Sequence, residues 1–308
     1  MSASPQVRVQ IDLGRVQSNA RRIARDTGVP VLAVIKADAY GLGAERVSGA
    51  IREWVHGFCV FRPEEAIEID LWNRTGKPTL AIGPPNVLDA TLYVRHHIRP
   101  AVSTVEQAIA LKTARPVLCV DTGQQRFACP IDQVNEVLRA GECDEAFTHA
   151  TRMEQVQLLR DAVGGRVGRL HAAGSSLLHE PEALLDAVRP GLALYHGAVR
   201  VSTRLVECRK GTGPAGYSGF VAPYHGAILA GYSNGLHAGP CLVNGRPSRL
   251  LEVGMQSAFV ETQPADKPGD EVVLLGDGLA EEQIAKAWNT SPHECLVRLS
   301  RSGIREYV

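Results

Sequence analysis

Val31-Leu-Ala-Val-Ile35-Lys36-Ala-Asp-Ala-Tyr40-Gly-Leu-Gly43 is the stretch on which the fold turns. Val31 to Ile35 is a short, wholly apolar run, the pattern of a strand buried on both faces. It stops at a lysine. An ammonium at the end of an apolar strand is costly to bury, so the amine should be neutral, paired or used covalently. The alternative is a lysine whose stem lies along the strand end with its amine in water, the usual outcome for an isolated lysine. Active sites of parallel β/α barrels lie at the C-terminal ends of their strands, which is where Lys36 falls.

Outward from this stretch, strand and helix patterns alternate. Gly41 to Val55 reads as a helix, with Val47, Ala50, Ile51 and Val55 on one side. Phe58–Phe61 and Thr79–Ile82 read as strands, with a helix opened between them by Arg62-Pro-Glu-Glu. Residues 99–102, 117–120, 146–148, 167–171 and 192–195 continue the strand series. Residues 105–113, 131–140, 153–163 and 181–188 supply helices. About eight strand–helix repeats predict a (β/α)8 TIM-type barrel over residues 10–200. An open doubly wound sheet is the other arrangement, but no G-x-G-x-x-G follows an early strand.

Near residue 200 the texture changes. Gly211 to Pro223 is rich in glycine and turn residues. Short apolar runs at 228–230, 241–243, 259–261 and 271–275 are separated by turns such as Asn244-Gly245 and Pro268-Gly269. Residues 201–308 are therefore expected to form a smaller, mainly β C-terminal domain holding one helix, 280–288. An N-terminal strand at 5–11 is expected to pair with it.

The bulk numbers set outer limits. The chain has 308 residues, 44% of them hydrophobic, enough for a large core. Lys+Arg and Asp+Glu both number 33, so no charge excess points to nucleic acid or to an anionic membrane. Met1 to Ile11 has no apolar segment of the signal-peptide kind, and no run is long enough to span a bilayer. The seven cysteines are scattered with no C-x-x-C, which predicts free thiols and a cytoplasmic location.

Lys36-Ala-Asp-Ala-Tyr40-Gly-Leu-Gly43 resembles the cofactor-lysine motif of the alanine racemase family. Further motifs follow in the family's order: Val120-Asp-Thr-Gly123 with Arg126, Thr148-His149, His171-Ala-Ala-Gly-Ser175, Arg189-Pro-Gly191-Leu192-Ala-Leu-Tyr195, Gly231-Tyr232-Ser-Asn-Gly235 and Gly254-Met255. One such motif would be weak; an ordered set over nearly the whole chain is specific. The resemblance implies a pyridoxal 5'-phosphate enzyme that interconverts L- and D-alanine, with D-alanine as its biosynthetic product. Lys36 would bind the cofactor covalently. Tyr40, Ser175, Gly191 and Leu192 would cradle its phosphate, where hydroxyls and amides suit an anion. Arg189 would face the pyridine nitrogen. A permanently charged guanidinium there keeps the nitrogen unprotonated, which favours fast reprotonation over decarboxylation or transamination. His149 and His171 would support the ring and Arg189. Arg126 and Met255 would lie at the substrate carboxylate. Lys36 and Tyr232 would be bases on opposite faces, with Tyr232 reaching the partner's active site in a head-to-tail homodimer. No metal, nucleic acid or membrane is implied.

Each of these residues also has a plain reading: a turn serine for Ser175, a helix-capping arginine for Arg189, core histidines for His149 and His171, a β-turn tyrosine for Tyr232. The chain departs from the family at Cys119, where a lysine is common, and at Gly174, Glu252 and Gln256, and it is shorter than usual. Those departures bear on the substrate more than on the cofactor. A racemase for another small amino acid such as serine, a weakly active or non-catalytic cofactor-binding homologue, and a decarboxylase or aldolase of the same fold are the competing readings.

Overall fold

The computed structural model describes residues 7–308. The chain divides into two compact units. A β/α unit comprises Val16–Ala39 and Gly43–His196; a β unit comprises residues 7–15, Tyr40–Leu42 and Gly197–Val308. The first described strand, β1 (Arg8–Ile11), belongs to the β unit. Positions 5 and 6 of the strand expected at 5–11 lie outside the described residues.

The β/α unit is built on a parallel sheet whose strands run in sequence order. They are β2 (Leu32–Val34), β3 (Gly57–Val60), β4 (Thr79–Ala81), β5 (Ile98–Val102), β6 (Val117–Cys119), β7 (Glu145–Ala150) and β8 (Arg169–Ala173). All six pairings are parallel. The strands are almost wholly buried, as expected where helices cover a parallel sheet. Helix Met153–Val163 runs over the residues expected, and Pro63–Glu68 opens with proline and acids as its sequence suggests. A helix at Leu13–Thr27 was not foreseen. It is mostly polar, and only Val16, Asn19, Ala20, Ile23 and Thr27 are buried, at helical spacing. Asn19 Nδ2 then donates to Leu194 O at 3.1 Å and His196 O at 3.0 Å, tying that helix to the far end of the unit's sequence.

The eighth strand expected at 192–195 is instead a four-residue helix, Leu192–Tyr195. Residues 181–188 form only a 3-10 turn, Pro181–Ala183, not the helix expected. The strand-like pairing lies between them. Ala187 bridges His171 of β8, and Val188 bridges Val31 before β2, both parallel. Arg189 N donates to Ala173 O at 2.8 Å, while Leu32 N donates to Val188 O and Val34 N to Pro190 O, both at 2.9 Å. A short apolar run such as Leu192-Ala-Leu-Tyr195 carries no period that separates strand from helix.

In the β unit, eight strands follow the order β10-β13-β12-β11-β14-β9-β1-β15. Their ranges are β9 (Val199–Lys210), β10 (Tyr224–Ile228), β11 (Gly239–Val243), β12 (Arg246–Val253), β13 (Ala258–Glu261), β14 (Glu271–Leu275) and β15 (Ile304–Tyr307). Strand β10 also pairs with β9, so six strands close on themselves and β1 and β15 continue the sheet from β9. The strand expected at 228–230 instead spans Tyr224–Ile228, ending where it was expected to begin. Helix Glu281–Trp288 is joined by a second, Pro292–Leu299, capped by Ser291 Oγ accepting from Glu294 N. Among the described residues, no helix is long and apolar enough to cross a membrane. All seven cysteines are free.

Candidate active site

Lys36 follows Ile35 at the C-terminal end of β2. The chain then does something rare. Ala37, Asp38, Ala39 and Tyr40 all have φ between 52° and 60°, a full left-handed turn without a glycine. Each such residue costs about 1–2 kcal/mol, and consecutive ones are seldom seen. Hydrogen bonds hold the turn. Ala37 N donates to Glu65 Oε1 at 2.7 Å, Ala39 N to Ile35 O at 2.8 Å, and Ala44 N to Asp38 Oδ1 at 2.7 Å. Glu65 Oε2 also accepts from Phe61 N at 2.6 Å and Arg62 N at 3.1 Å. One carboxylate therefore fixes the turn beside the lysine to the end of β3.

Lys36 is half-buried, and Nζ makes no hydrogen bond or ion pair among the described residues. Burial is the main cause that lowers its pKa. The Arg126 charge pushes the same way, Glu65 and then Cys59 pull against it, and the Arg189 charge adds the smallest downward push. The amine is thus biased toward its neutral, nucleophilic form.

Lys36 shares its cleft with Phe61, Cys119, Arg126, Phe127, His149 and Arg189, among others. Arg189 is 5% exposed. Its Nη1 donates to His171 Nδ1 and, at 3.1 Å, to His171 O; its Nη2 donates to Thr148 O and, at 3.4 Å, to Ala172 O. A guanidinium has five N–H donors, and the fifth, on Nε, has no partner among the described residues. The Arg189 Cζ lies 4.7 Å over the Phe147 ring, which stacks on His171 at 5.4 Å and 4°. Phe147 and His171 are cross-strand partners in β7 and β8, so the sheet register sets this stack.

His171 is fully buried, and its pKa is lowered to about 4, first by desolvation and then by the Arg189 charge. It is therefore neutral. Its Nε2 lies 2.8 Å from Glu145 Oε1. Burial would raise the Glu145 pKa, but the His171 hydrogen bond and the Arg99 charge hold it below the usual carboxylate range. These shifts predict acid sensitivity. Below pH 6.5 the unfolded chain protonates this histidine while the folded one does not until about pH 4. Stability is lost across that window, by about 3 kcal/mol from His171 alone. Glu145 acts in the same direction, since its contribution fades as pH falls toward its lowered value. Urea unfolding at pH 7, 6 and 5 should show uptake of about one extra proton by the unfolded chain.

Ser175 Oγ accepts from Gly191 N at 3.0 Å and Ala193 N at 3.1 Å, so the hydroxyl meets the Gly191 amide at the start of Leu192–Tyr195, with Ala193 rather than Leu192 as the second donor. Arg126 and His149 are exposed residues lining the Lys36 cleft. Arg126 Cζ lies 5.4 Å over the Phe127 ring and makes no ion pair among the described residues. Cys119, at the same cleft, has its pKa pushed up to about 12 by burial, so it is an uncharged thiol.

The remaining expected residues belong to the β unit. Tyr40 is buried, its ring 5.9 Å from that of His293. Tyr232 opens a 3-10 turn, Tyr232–Asn234, and is 55% exposed. Tyr232 N donates to Gly254 O at 2.8 Å and Ser233 N to Met255 O at 3.0 Å. That brings Tyr232 and the exposed Met255 onto adjoining loops. A Cβ on Gly231 would sit 2.3 Å from Gly254 O, so only glycine permits this approach. Glu252 is spent on its own loop, accepting from Tyr217 N at 2.9 Å and Ser218 N at 2.6 Å. Sequence reasoning missed Glu65, Glu145 and Phe147. Glu145 left a signal, an acid at the head of the apolar run Ala146-Phe-Thr148.

A parallel β/α unit, carrying a desolvated lysine and a buried arginine in one cleft, joined in sequence to a β unit, defines a class of lysine-centred two-unit enzymes. The family described as "Alanine racemase, N-terminal domain" matches residues 11–199. The alanine racemase of Mannheimia succiniciproducens is 30% identical over 329 residues, covering 90% of this chain and 92% of that protein. The biosynthetic alanine racemase of Escherichia coli K12 is 28% identical with the same coverage. The fold matches that of the Bartonella henselae alanine racemase, solved with covalently bound pyridoxal phosphate, at TM-score 0.87 and 22% identity over 98% of this chain and 99% of that one. The Pseudomonas aeruginosa biosynthetic enzyme matches at TM-score 0.87 and 24% identity, covering 99% of both chains. The chain belongs to the alanine racemase family.

Proposed function

We propose that this protein racemises alanine with pyridoxal 5'-phosphate bound at Lys36. The observation that carries the reading is the amine: desolvated, unpartnered, at a strand end, and in one cleft with a buried arginine. The donor set fits the cofactor. Lys36 Nζ is available for a covalent bond, Arg189 Nε–H is unspent beside it, and Ser175 with the Gly191–Leu192 amides suits a phosphate. Tyr40 is assigned to the same phosphate on the family resemblance.

When bound, pyridoxal phosphate supplies an aldehyde for the amine and a conjugated ring that acidifies the α-hydrogen of an amino acid. Lys36 Nζ exchanges a proton at the α-carbon on one face. Tyr232 Oη exchanges it on the other. Arg189 would place its fixed positive charge toward the ring nitrogen and so keep a proton off it. Arg126 would receive the substrate carboxylate, and Met255 is assigned to the same carboxylate on the family resemblance alone. His171 and His149 hold Arg189 and the ring in place.

We assign the second base to the partner subunit's Tyr232 in a homodimer. Tyr217 and Val221, 99% and 72% exposed, and the exposed Tyr232 and Met255 are large apolar side chains of the β unit that a second copy would bury. The division of labour follows the chain: cofactor chemistry on residues 10–200, the second base on 201–308. The parallel sheet is read as a (β/α)8 barrel, supported by residues 187–190 bonding to both β8 and β2. Seven free thiols suit a reducing cytoplasm.

The test is direct. The purified protein, given single L-amino acids, should form D-alanine from L-alanine, and borohydride should fix the cofactor to Lys36. A colourless protein that takes up no pyridoxal phosphate overturns the reading; cofactor uptake without D-product leaves a non-catalytic homologue. Tyr232→Phe should lower kcat for alanine by about 10²–10⁴-fold while the cofactor still traps on Lys36. Racemisation of several small amino acids, serine included, is the second reading. It is favoured by an Arg126 that no acid braces among the described residues.

A further inference from the structure

We propose that Glu145 is a positioning residue that sets the tautomer of His171 and, through it, the hydrogen-bonding face of Arg189. The inference rests on the reading of Arg189 as the group facing the cofactor ring.

The geometry forms a chain of groups across three strands. Arg99 from β5 donates through Nη1 to Glu145 Oε2 at the head of β7. The other oxygen, Oε1, lies 2.8 Å from His171 Nε2 on β8, and His171 Nδ1 faces Arg189 Nη1. Glu145, His171 and Arg189 are 4%, 0% and 5% exposed, so no water competes for these contacts. Arg169 reaches Glu145 Oε2 at 3.8 Å, and Asp144 takes the second Arg99 nitrogen, so Oε1 is the oxygen left for the ring.

Donor and acceptor logic fixes the rest. Arg189 has only N–H groups to offer, so His171 Nδ1 must be the bare nitrogen. The single ring proton then sits on Nε2, which requires an acceptor, and only an ionised carboxylate guarantees one. The neutral state of His171 and the ionised state of Glu145 are both favoured by their surroundings. The ring lies parallel to Phe147, its cross-strand neighbour, at 5.4 Å. With Nδ1 bare, both terminal nitrogens of Arg189 are drawn inward to His171, Thr148 and Ala172, and Nε–H is left for the cleft.

Glu145→Gln tests this with little change in shape. Arg99 still demands an acceptor, so the glutamine carbonyl turns to Arg99 and its amide turns N–H toward His171 Nε2. The proton must then move to Nδ1, where it opposes an Arg189 N–H. The full-length protein is labelled with 15N-histidine, and the His171 signals are assigned by their loss in His171→Asn. In the wild type at neutral pH, Nδ1 should resonate as an unprotonated ring nitrogen and Nε2 as an N–H. In Glu145→Gln the two should exchange. In the cofactor-loaded enzyme, kcat should fall about tenfold or more with KM changed far less, as expected when one buried hydrogen bond is lost from the reacting centre. Glu145→Asp, which keeps a carboxylate, should restore part of kcat. A wild-type His171 that is protonated on Nδ1 or doubly protonated overturns the proposal, whether or not any variant folds. So does a Glu145→Gln enzyme with wild-type kcat. Should the wild type neither bind pyridoxal phosphate nor racemise any amino acid, the functional reading fails instead, and the tautomer is still read independently.

Discussion

Lys36→Ala should abolish racemisation, lowering kcat by on the order of ten-thousandfold or more, while leaving the fold as stable as before. The two halves of that result have separate causes. On the proposed mechanism, activity fails because one nitrogen is both the covalent anchor and one of the two bases, so a single truncation removes both roles. Stability is spared because Lys36 Nζ makes no hydrogen bond or ion pair among the described residues. Removing a half-buried, partly desolvated amine strands nothing, and the change in unfolding free energy should stay within about 0.5 kcal/mol. The left-handed turn that follows is held by Glu65 and Asp38, neither of which needs the lysine side chain. The measurements are D-alanine formation, mass after borohydride treatment, and a urea unfolding curve. A variant that retains activity would remove Lys36 from the mechanism. One that unfolds would show that the amine has a structural partner.

Arg189→Leu should fail in the opposite way, losing stability and activity together. The substitution strips donors from His171 Nδ1, His171 O, Thr148 O and Ala172 O at once. It also removes the positive charge that balances buried Glu145 through the imidazole. Unpaired buried acceptors cost about 1–3 kcal/mol each when no water replaces the donor, and partial relaxation should leave a net loss of about 3 kcal/mol. Activity should drop by about 10²–10³-fold, the scale seen when one preorganised electrostatic group is removed. The nature of the residual reaction should also change. On the proposed placement of Arg189 at the ring nitrogen, removing the guanidinium would let that nitrogen take a proton and so strengthen electron withdrawal. Pyruvate should then form from alanine alongside racemisation, up to about one equivalent per site, as the amino group would pass to the cofactor and leave it as pyridoxamine phosphate. An Arg189→Leu enzyme with normal stability would mean that the acceptors around it are satisfied by other means.

These two residues also show how far the sequence could be read. Lys36 was legible because a charge at the end of an apolar strand is an anomaly that local pattern exposes. Arg189 stood out only within an ordered set of motifs, since an arginine before proline and glycine has an ordinary capping role elsewhere. Glu145 and Glu65 were passed over. Each looks like a surface acid until the strands around it are assembled, and then one meets His171 and Arg99 while the other takes three backbone amides. The strand expected at 192–195 failed for a related reason. Pairing between β8 and β2 falls on 187–190, a segment whose Arg-Pro sequence carries no strand signal and whose extended form is imposed by neighbours on both sides.

By itself the sequence determined the alternation of strands and helices in the first two-thirds of the chain, the β texture of the remainder, and the strand-end position of the lysine. Those features depend on periodicity and on residues close together in the chain. Only the tertiary structure decided which carboxylate meets which cation, how the residues after Lys36 are held left-handed, and why His171 stays neutral. Those outcomes depend on burial and on partners many residues away, and the energy of a charge is set by what surrounds it rather than by what precedes it in sequence.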